Sequence, residues 1–155
     1  MVVTKVKQIK SVNKLSDGIK YIEDGAKTIG AKLLDSDLNF PIKFVNGQPV
    51  SQLVSGNLII DVESAYSEMM QLKQLANLEK GRPINNEELV KNDVLAHHVI
   101  QSFSPEDNLT PEQVHEIGRK TALELTGGSH QFVIATHMDK GHLHNHIYIN
   151  STNSV

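Results

Sequence analysis

The sequence predicts an α+β domain, a mainly antiparallel sheet with helices packed on it. Three stretches carry that expectation: residues 131–149 read as a β-hairpin, residues 94–126 as a strand, loop and helix, and residues 61–80 as an amphipathic helix. The chain has 155 residues, enough for one compact domain with its own core. No run of about 18 apolar residues occurs, so no membrane-spanning helix is expected. Lys5, Lys7 and Lys10 interrupt the N-terminus before a signal-peptide core can form. With no cysteine, disulfides and thiolate ligands are excluded. That fits a cytoplasmic protein and leaves His and carboxylates for any metal.

Taken in order, Val2–Ile9 alternates well enough for a strand. Residues 11–22 suit a short helix with Ser11 as N-cap, although Gly18 is a poor helix residue. Asp24-Gly25 then marks a turn. Residues 31–60 read as loops with short extended pieces, and Phe44–Val50, built around Asn46-Gly47, reads as a small hairpin. From Asp61 to Lys80, Ala65, Met69, Leu72, Leu75 and Ala76 give one apolar face, with Glu68 and Lys73 expected in solvent. Gly81-Arg82-Pro83 ends that helix. Val94–Phe103 is a strand on which His98 and Ser102 share one face and His97 takes the other. After a loop, Thr110-Pro111-Glu112-Gln113 starts a helix with a Thr cap, Pro at the first position and Gln at the third. Gly127-Gly128 stops it. His115 and His130 need no more than surface or capping roles.

The stretch that organises the chain is His137-Met-Asp139-Lys140-Gly141-His142-Leu-His144-Asn145-His146, preceded by the apolar strand Gln131–Thr136. Alternate residues of a strand point to one face, so His142, His144 and His146 line one side. Register decides which of them meet His137. A two-residue loop at Lys140-Gly141 sets His137 opposite His144, with His146 diagonal to the pair and Asp139 facing His142. A four-residue loop would pair His137 with His142, and a three-residue loop would put His137 opposite Leu143, on the wrong face. In the first register three neutral imidazoles converge into a metal site with open positions; the alternative is a polar strand face. The other face, Leu143, Ile147 and Ile149, is apolar and needs a helix layer, which makes this strand central. Asn145 interrupts that face, so burial there is incomplete or the residue is hydrogen-bonded.

The run His-x-Asp-x-x-His-x-His-x-His followed by Ile-Tyr-Ile-Asn resembles the third motif of relaxases, the mobilisation nucleases of plasmids and integrative elements. Relaxases fall within the His-hydrophobe-His (HUH) endonucleases, and the branch most similar here is the MobP type. His98-x-x-x-Ser102-Phe103 followed by Thr110-Pro-Glu and a helix resembles the second motif. Tyr21-Ile-Glu-Asp-Gly-Ala-Lys27-Thr28 resembles the first, with Asp24-Gly25 where Asn-Pro is usual, and Leu53–Asn57 resembles the segment that follows it. The literal His-hydrophobe-His triplet is His142-Leu143-His144. Register and the following Ile-Tyr-Ile strand favour His144 and His146 instead.

The resemblance implies a mainly antiparallel central sheet of about five strands flanked by helices. It implies that residues 1–155 are a single nuclease domain, the N-terminal part of a longer protein. It assigns His137, His144 and His146 to one divalent ion (Mn or Mg in use, with Zn or Ni also suited), and His142 stays open as a third ligand against His146. Asp139, His142 and His98 become auxiliary residues near the ligands. Tyr21 becomes the nucleophile, against Tyr148 on the metal strand and Tyr66 in a helix. Lys27, Thr28, Ser102 and Asn150 fall to DNA contact. The implied reaction nicks one strand at a transfer origin, single-stranded or extruded, leaving a 5′-phosphotyrosine link. The implied partners are a relaxosome accessory protein and a type IV coupling protein, in the bacterial cytoplasm and without a membrane.

Other readings remain: a rolling-circle replication initiator, a hydrolase using the same histidines on water, and a non-catalytic DNA-binding module. The early position of Tyr21 favours a relaxase over initiators, whose tyrosine follows the histidine motif. Net charge is −3, yet residues 1–50 hold eight lysines against five carboxylates, a local +3 that leaves −6 for the remainder. A basic N-terminal segment of that kind suits phosphates or a solvated face equally. Aromatic residues make up only 5% of the chain, so few platforms exist for base stacking.

Overall fold

The structure is a computed structural model that describes residues 2–22, 42–45, 48–51, 53–60, 62–79, 94–137 and 142–153. Among these residues the strands are β1 (Val2–Ile9), β2 (Ile42–Val45), β3 (Gln48–Ser51), β4 (Val54–Asn57), β5 (Ala96–Phe103), β6 (His130–His137) and β7 (His144–Asn153). The helices are α1 (Val12–Ile22), α2 (Ala65–Glu79) and α3 (Pro111–Thr126). The main sheet runs β1-β5-β7-β6-β4, with every neighbouring pair antiparallel. This is the expected α+β arrangement, with the histidine strand β7 at its centre. The small hairpin expected around Phe44–Val50 is matched by β2 pairing β3 in a sheet of their own, while Asn46 and Gly47 lie outside the described residues.

Local chemistry sets most boundaries. Ser11 caps α1, its Oγ accepting from Lys14 N at 3.4 Å. Thr110 and Gln113 form a reciprocal capping box, Thr110 Oγ1 accepting from Gln113 N at 3.1 Å and Gln113 Oε1 from Thr110 N at 2.9 Å. Gly127, at φ 64°, ends α3 in the left-handed conformation. One element escaped the sequence reading. Val54–Asn57 lies in the stretch read as loops with short extended pieces, none of them placed in the main sheet, and it pairs with β6 as the sheet edge. Four residues containing Gly56 are too short to show an alternation, so the partner strand decides their state.

The sheet is covered on both faces. Leu15 and Ile19 of α1 with Ala65, Met69 and Met70 of α2 pack on Val133, Ala135 and Tyr148. Ala122 of α3 lies on the opposite face, in a core with Val99, Phe132, Ile134, Ile147 and Ile149.

Two expectations about polar residues are corrected here. Lys73 is not in solvent: it is 5% exposed, and its Nζ donates to Ser151 Oγ at 2.8 Å and Thr152 Oγ1 at 3.0 Å. The helix rolls that flank onto the end of β7, burying the lysine stem and exposing Leu75 instead. Glu68 is half-buried and accepts from Ile60 N at 2.7 Å and Ser64 Oγ at 2.9 Å. His115 is not at the surface either. It is fully buried between Ser55 and Thr136, whereas half-buried His130 bonds through Nδ1 to Asn150 O at 2.8 Å. No helix among the described residues is long and apolar enough to cross a membrane.

Candidate metal centre

The β6–β7 register sets His137 opposite His144 and Ala135 opposite His146. This is the register a two-residue loop requires, and it rules out the other two. His137, His144 and His146 therefore project from one face. Each offers one ring nitrogen, and these atoms lie within 4.8 Å of one another. The residues are 0%, 6% and 9% exposed. Their ring centroids are 4.4 Å apart for His137–His146 and 5.1 Å for the other two pairs. His142 stands outside this cluster, half-buried, with its ring 5.3 Å from that of His144. Of the two candidates for third position, the geometry thus gathers His146. Three converging imidazoles suit a divalent transition metal with positions left for other ligands.

Next to the cluster, β5 supplies His98, opposite Tyr148 in the ladder. The two rings stack, with centroids 4.3 Å apart and 14° between planes. His98 Nε2 lies 2.9 Å from His146 Nδ1. This bond engages one nitrogen of His146 and leaves Nε2 as the atom able to ligate. Burial, followed by the charges of Lys7 and His137, lowers the His98 pKa to about 4, so its ring is neutral at physiological pH. By sequence His98 is expected only in an auxiliary place; the cross-strand ladder reveals its partner.

Tyr21 sits in the last turn of α1, 46% exposed. Its ring lies edge-on to His137 at 5.8 Å and to His146 at 6.3 Å. Tyr148 is nearly buried, and burial raises its phenol pKa. The glycine that looked like a flaw in α1 has a packing role. A Cβ at Gly18 would collide with the Tyr148 hydroxyl, so glycine lets α1 descend onto β7 and carries Tyr21, three residues on, to the histidines.

Ser102 is half-buried on the histidine face, opposite His144. Lys5 and Lys7 of β1 are exposed and pair with Ile100 and His98, which places them on the same face. Asn150 does not fit the DNA contact expected of it. It is fully buried; its Nδ2 donates to Gln131 Oε1 at 2.9 Å and Met69 O at 3.3 Å, and its Oδ1 accepts from Thr152 N at 3.1 Å. Those bonds tie β7 to β6 and α2, and leave no accessible edge for a nucleic acid. Asp139, Lys27 and Thr28 lie outside the described residues.

Comparison with known proteins adds an independent line. A family profile described as "Relaxase: MobA/VirD2-like, nuclease domain" matches residues 46–155. The group II intron-interrupted relaxase LtrB of Lactococcus lactis subsp. cremoris is 44% identical over 168 aligned residues, covering 99% of this chain and 30% of the relative. A Staphylococcus aureus protein named rlx is 41% identical over 91 residues, covering 59% of this chain and 24% of its own. The chain thus spans less than a third of the length of these relatives.

Proposed function

Because this chain belongs to the relaxases, in the family of MobA/VirD2-like nuclease domains, we propose that it nicks one DNA strand at the transfer origin of a plasmid or integrative element. The observation that carries this reading is the cluster of His137, His144 and His146 with the Tyr21 ring 5.8 Å from that of His137. Residues 1–155 would act as the nuclease domain at the N-terminal end of a longer protein.

His137, His144 and His146 would hold one divalent ion, Mn or Mg in use, with Zn or Ni also suited to imidazole ligands. When bound, the ion draws charge from the non-bridging oxygens of a phosphodiester and favours ionised phenol. Tyr21 is the nucleophile. Its oxygen forms a bond to phosphorus as the bond to the 3′ oxygen breaks. The phenol releases its proton and the departing 3′ oxygen takes one up. The product is a 5′-phosphotyrosine link and a free 3′-OH, a bond exchange that is reversible and needs no ATP. Tyr21 suits this role better than Tyr148, because Tyr21 is half-exposed whereas burial raises the phenol pKa of Tyr148.

His98 fixes the ring of His146, while Asp139 and His142 serve beside the ligands. Ser102, Lys27 and Thr28 contact the DNA, and exposed Lys5 and Lys7 offer charge to its phosphates on the histidine face. The substrate is single-stranded or extruded DNA. In the bacterial cytoplasm the covalent complex would pass to an accessory protein of the relaxosome and a type IV coupling protein.

The test is a covalent-adduct assay. The protein is incubated with 5′- and 3′-labelled single-stranded oligonucleotides from the neighbourhood of its own gene, with Mn²⁺ or Mg²⁺, and run on denaturing gels. A protein-linked band on the 3′-side fragment, absent in Tyr21→Phe and retained in Tyr148→Phe, is the expected result. Cleavage with no adduct in any lane would replace this mechanism with hydrolysis by water.

A further inference from the structure

Behind the histidines, on the opposite face of the sheet, runs a continuous line of polar side chains, buried at its centre and half-buried at its ends, that the proposed chemistry does not use. Ser55 Oγ on β4 lies 2.7 Å from His115 Nε2 on α3. His115 Nδ1 lies 2.9 Å from Thr136 Oγ1 on β6. Thr136 Oγ1 donates to Asn145 Oδ1 on β7 at 2.6 Å. Asn145 Nδ2 donates to Val114 O at 2.8 Å and to Gln101 Oε1 on β5 at 3.2 Å. Gln101 Nε2 in turn donates to Thr121 Oγ1 at 3.1 Å. The line crosses four of the five strands of the main sheet.

Donor accounting fixes its direction. Thr136 spends its only proton on Asn145, so it must accept from His115 Nδ1–H. His115 Nε2 is then an acceptor for the Ser55 hydroxyl, and the ring is neutral. Gly118 permits this contact from α3. A Cβ there would strike Asn145 Nδ2 and Ile134 Cδ1, so only glycine brings the Val114 carbonyl within bonding distance.

The line also solves a problem that the apolar residues leave open. A one-residue slip of β7 on β6 would turn the histidines into the core, and hydrophobicity forbids it. A two-residue slip keeps every side chain on its own face. Shifted one way it would set Ile149 opposite Ile134 and Ser151 opposite Phe132; shifted the other way it would set Ile147 opposite Phe132 and Asn145 opposite Ile134, so one apolar pair survives in either case. The same slip would separate His144 from His137 and part Thr136 from Asn145. The buried polar pair is broken by a slip in either direction, and so distinguishes the native register from both alternatives.

We propose that Ser55, His115, Thr136, Asn145 and Gln101 form a register lock, with Thr136 and Asn145 as the positioning residues that hold His137, His144 and His146 in convergence. The proposal rests, for its metal readout, on the reading that these histidines bind a divalent ion. Thr136→Val is nearly isosteric and removes both bonds at the centre of the line, whereas Thr136→Ser keeps them.

The test compares wild type, Thr136→Val and Thr136→Ser by calorimetric titration with Mn²⁺ and by cross-strand NOEs in the metal-free protein. Thr136→Val is expected to bind Mn²⁺ about 10–100-fold more weakly and to show a second set of β6–β7 NOEs. Thr136→Ser is expected to match wild type in both. Equal Mn²⁺ affinity with a single NOE set in Thr136→Val would overturn the proposal. A wild type that takes up no Mn²⁺ would sink the metal reading, and the NOE comparison would then decide the register lock alone. Should Thr136→Val fail to fold, Gln101→Leu/Asn145→Leu cuts the line while filling the space with apolar groups, and the same two outcomes apply.

Discussion

His98 and His146 meet edge to edge, Nε2 to Nδ1 at 2.9 Å, across the central strand pair of the sheet. His98 is held from behind by the stacked ring of Tyr148. One bond therefore orients a candidate ligand, and one stacking contact orients the bond. His98→Phe keeps an aromatic face for Tyr148 and deletes the hydrogen bond. Its expected effect is a loss of about 10–100-fold in Mn²⁺ affinity with secondary structure intact. Titration calorimetry and circular dichroism would check the two halves of that statement.

Chelation should stop nicking, and added Mn²⁺ should restore it. His137→Ala, His144→Ala and His146→Ala should each fail to recover on adding Mn²⁺, because each takes one of three convergent nitrogens. His142→Ala should recover, since His142 stands outside the cluster. The measurement is the rate of oligonucleotide nicking against Mn²⁺ concentration. Recovery by His146→Ala but not by His142→Ala would exchange the roles of these two residues.

Gly18 and Gly118 are both helix-interior glycines against which a polar side chain of β7 rests. Alanine raises helix propensity, so a purely local view predicts stabilisation at both positions. The packing predicts the reverse. Each added methyl meets a buried group, Tyr148 in one case and Asn145 with Ile134 in the other, and overpacking of this kind costs about 1–3 kcal/mol. Urea midpoints of Gly18→Ala and Gly118→Ala decide between the views. Gly18→Ala should also slow adduct formation, because it lifts the helix that carries Tyr21.

Stability should fall in mild acid. Burial, followed by the charge of Arg119, lowers the His115 pKa to about 3 in the folded state, against 6.5 for the free side chain. Between those values the unfolded chain binds a proton that the folded chain refuses, so unfolding becomes easier as pH falls. The contribution is complete above pH 6.5 and is lost progressively toward pH 3. Chemical denaturation as a function of pH should show this slope, and His115→Gln, which cannot titrate, should flatten part of it. An unchanged slope in that variant would place the acid sensitivity elsewhere.

Much of this protein is legible in one dimension because its signals are local. The alternation His142-Leu-His144-Asn-His146 sends the imidazoles to one face, and Thr110-Pro-Glu-Gln starts α3 by its own capping bonds. The apolar back of β7 demands a helix layer, which makes that strand central. What failed was whatever depended on a distant neighbour. The four residues of β4 are a strand only because β6 lies beside them. Lys73 and His115 carry polar side chains at positions where a sequence suggests solvent, and they are buried because hydroxyls from other elements wait there. Asn150 read as a contact for DNA and proved to be an internal tie.

The sequence by itself determined the sheet-and-helix class, the shared face of the histidines and the chemistry available to them. Tertiary structure alone decided that His137 stands opposite His144, that His98 holds His146, and that Tyr21 reaches the cluster from the end of α1. The physical reason is the range of the interactions. Period and capping are written within a few residues, whereas register and approach depend on which side chains from separate strands can satisfy one another once they are out of water.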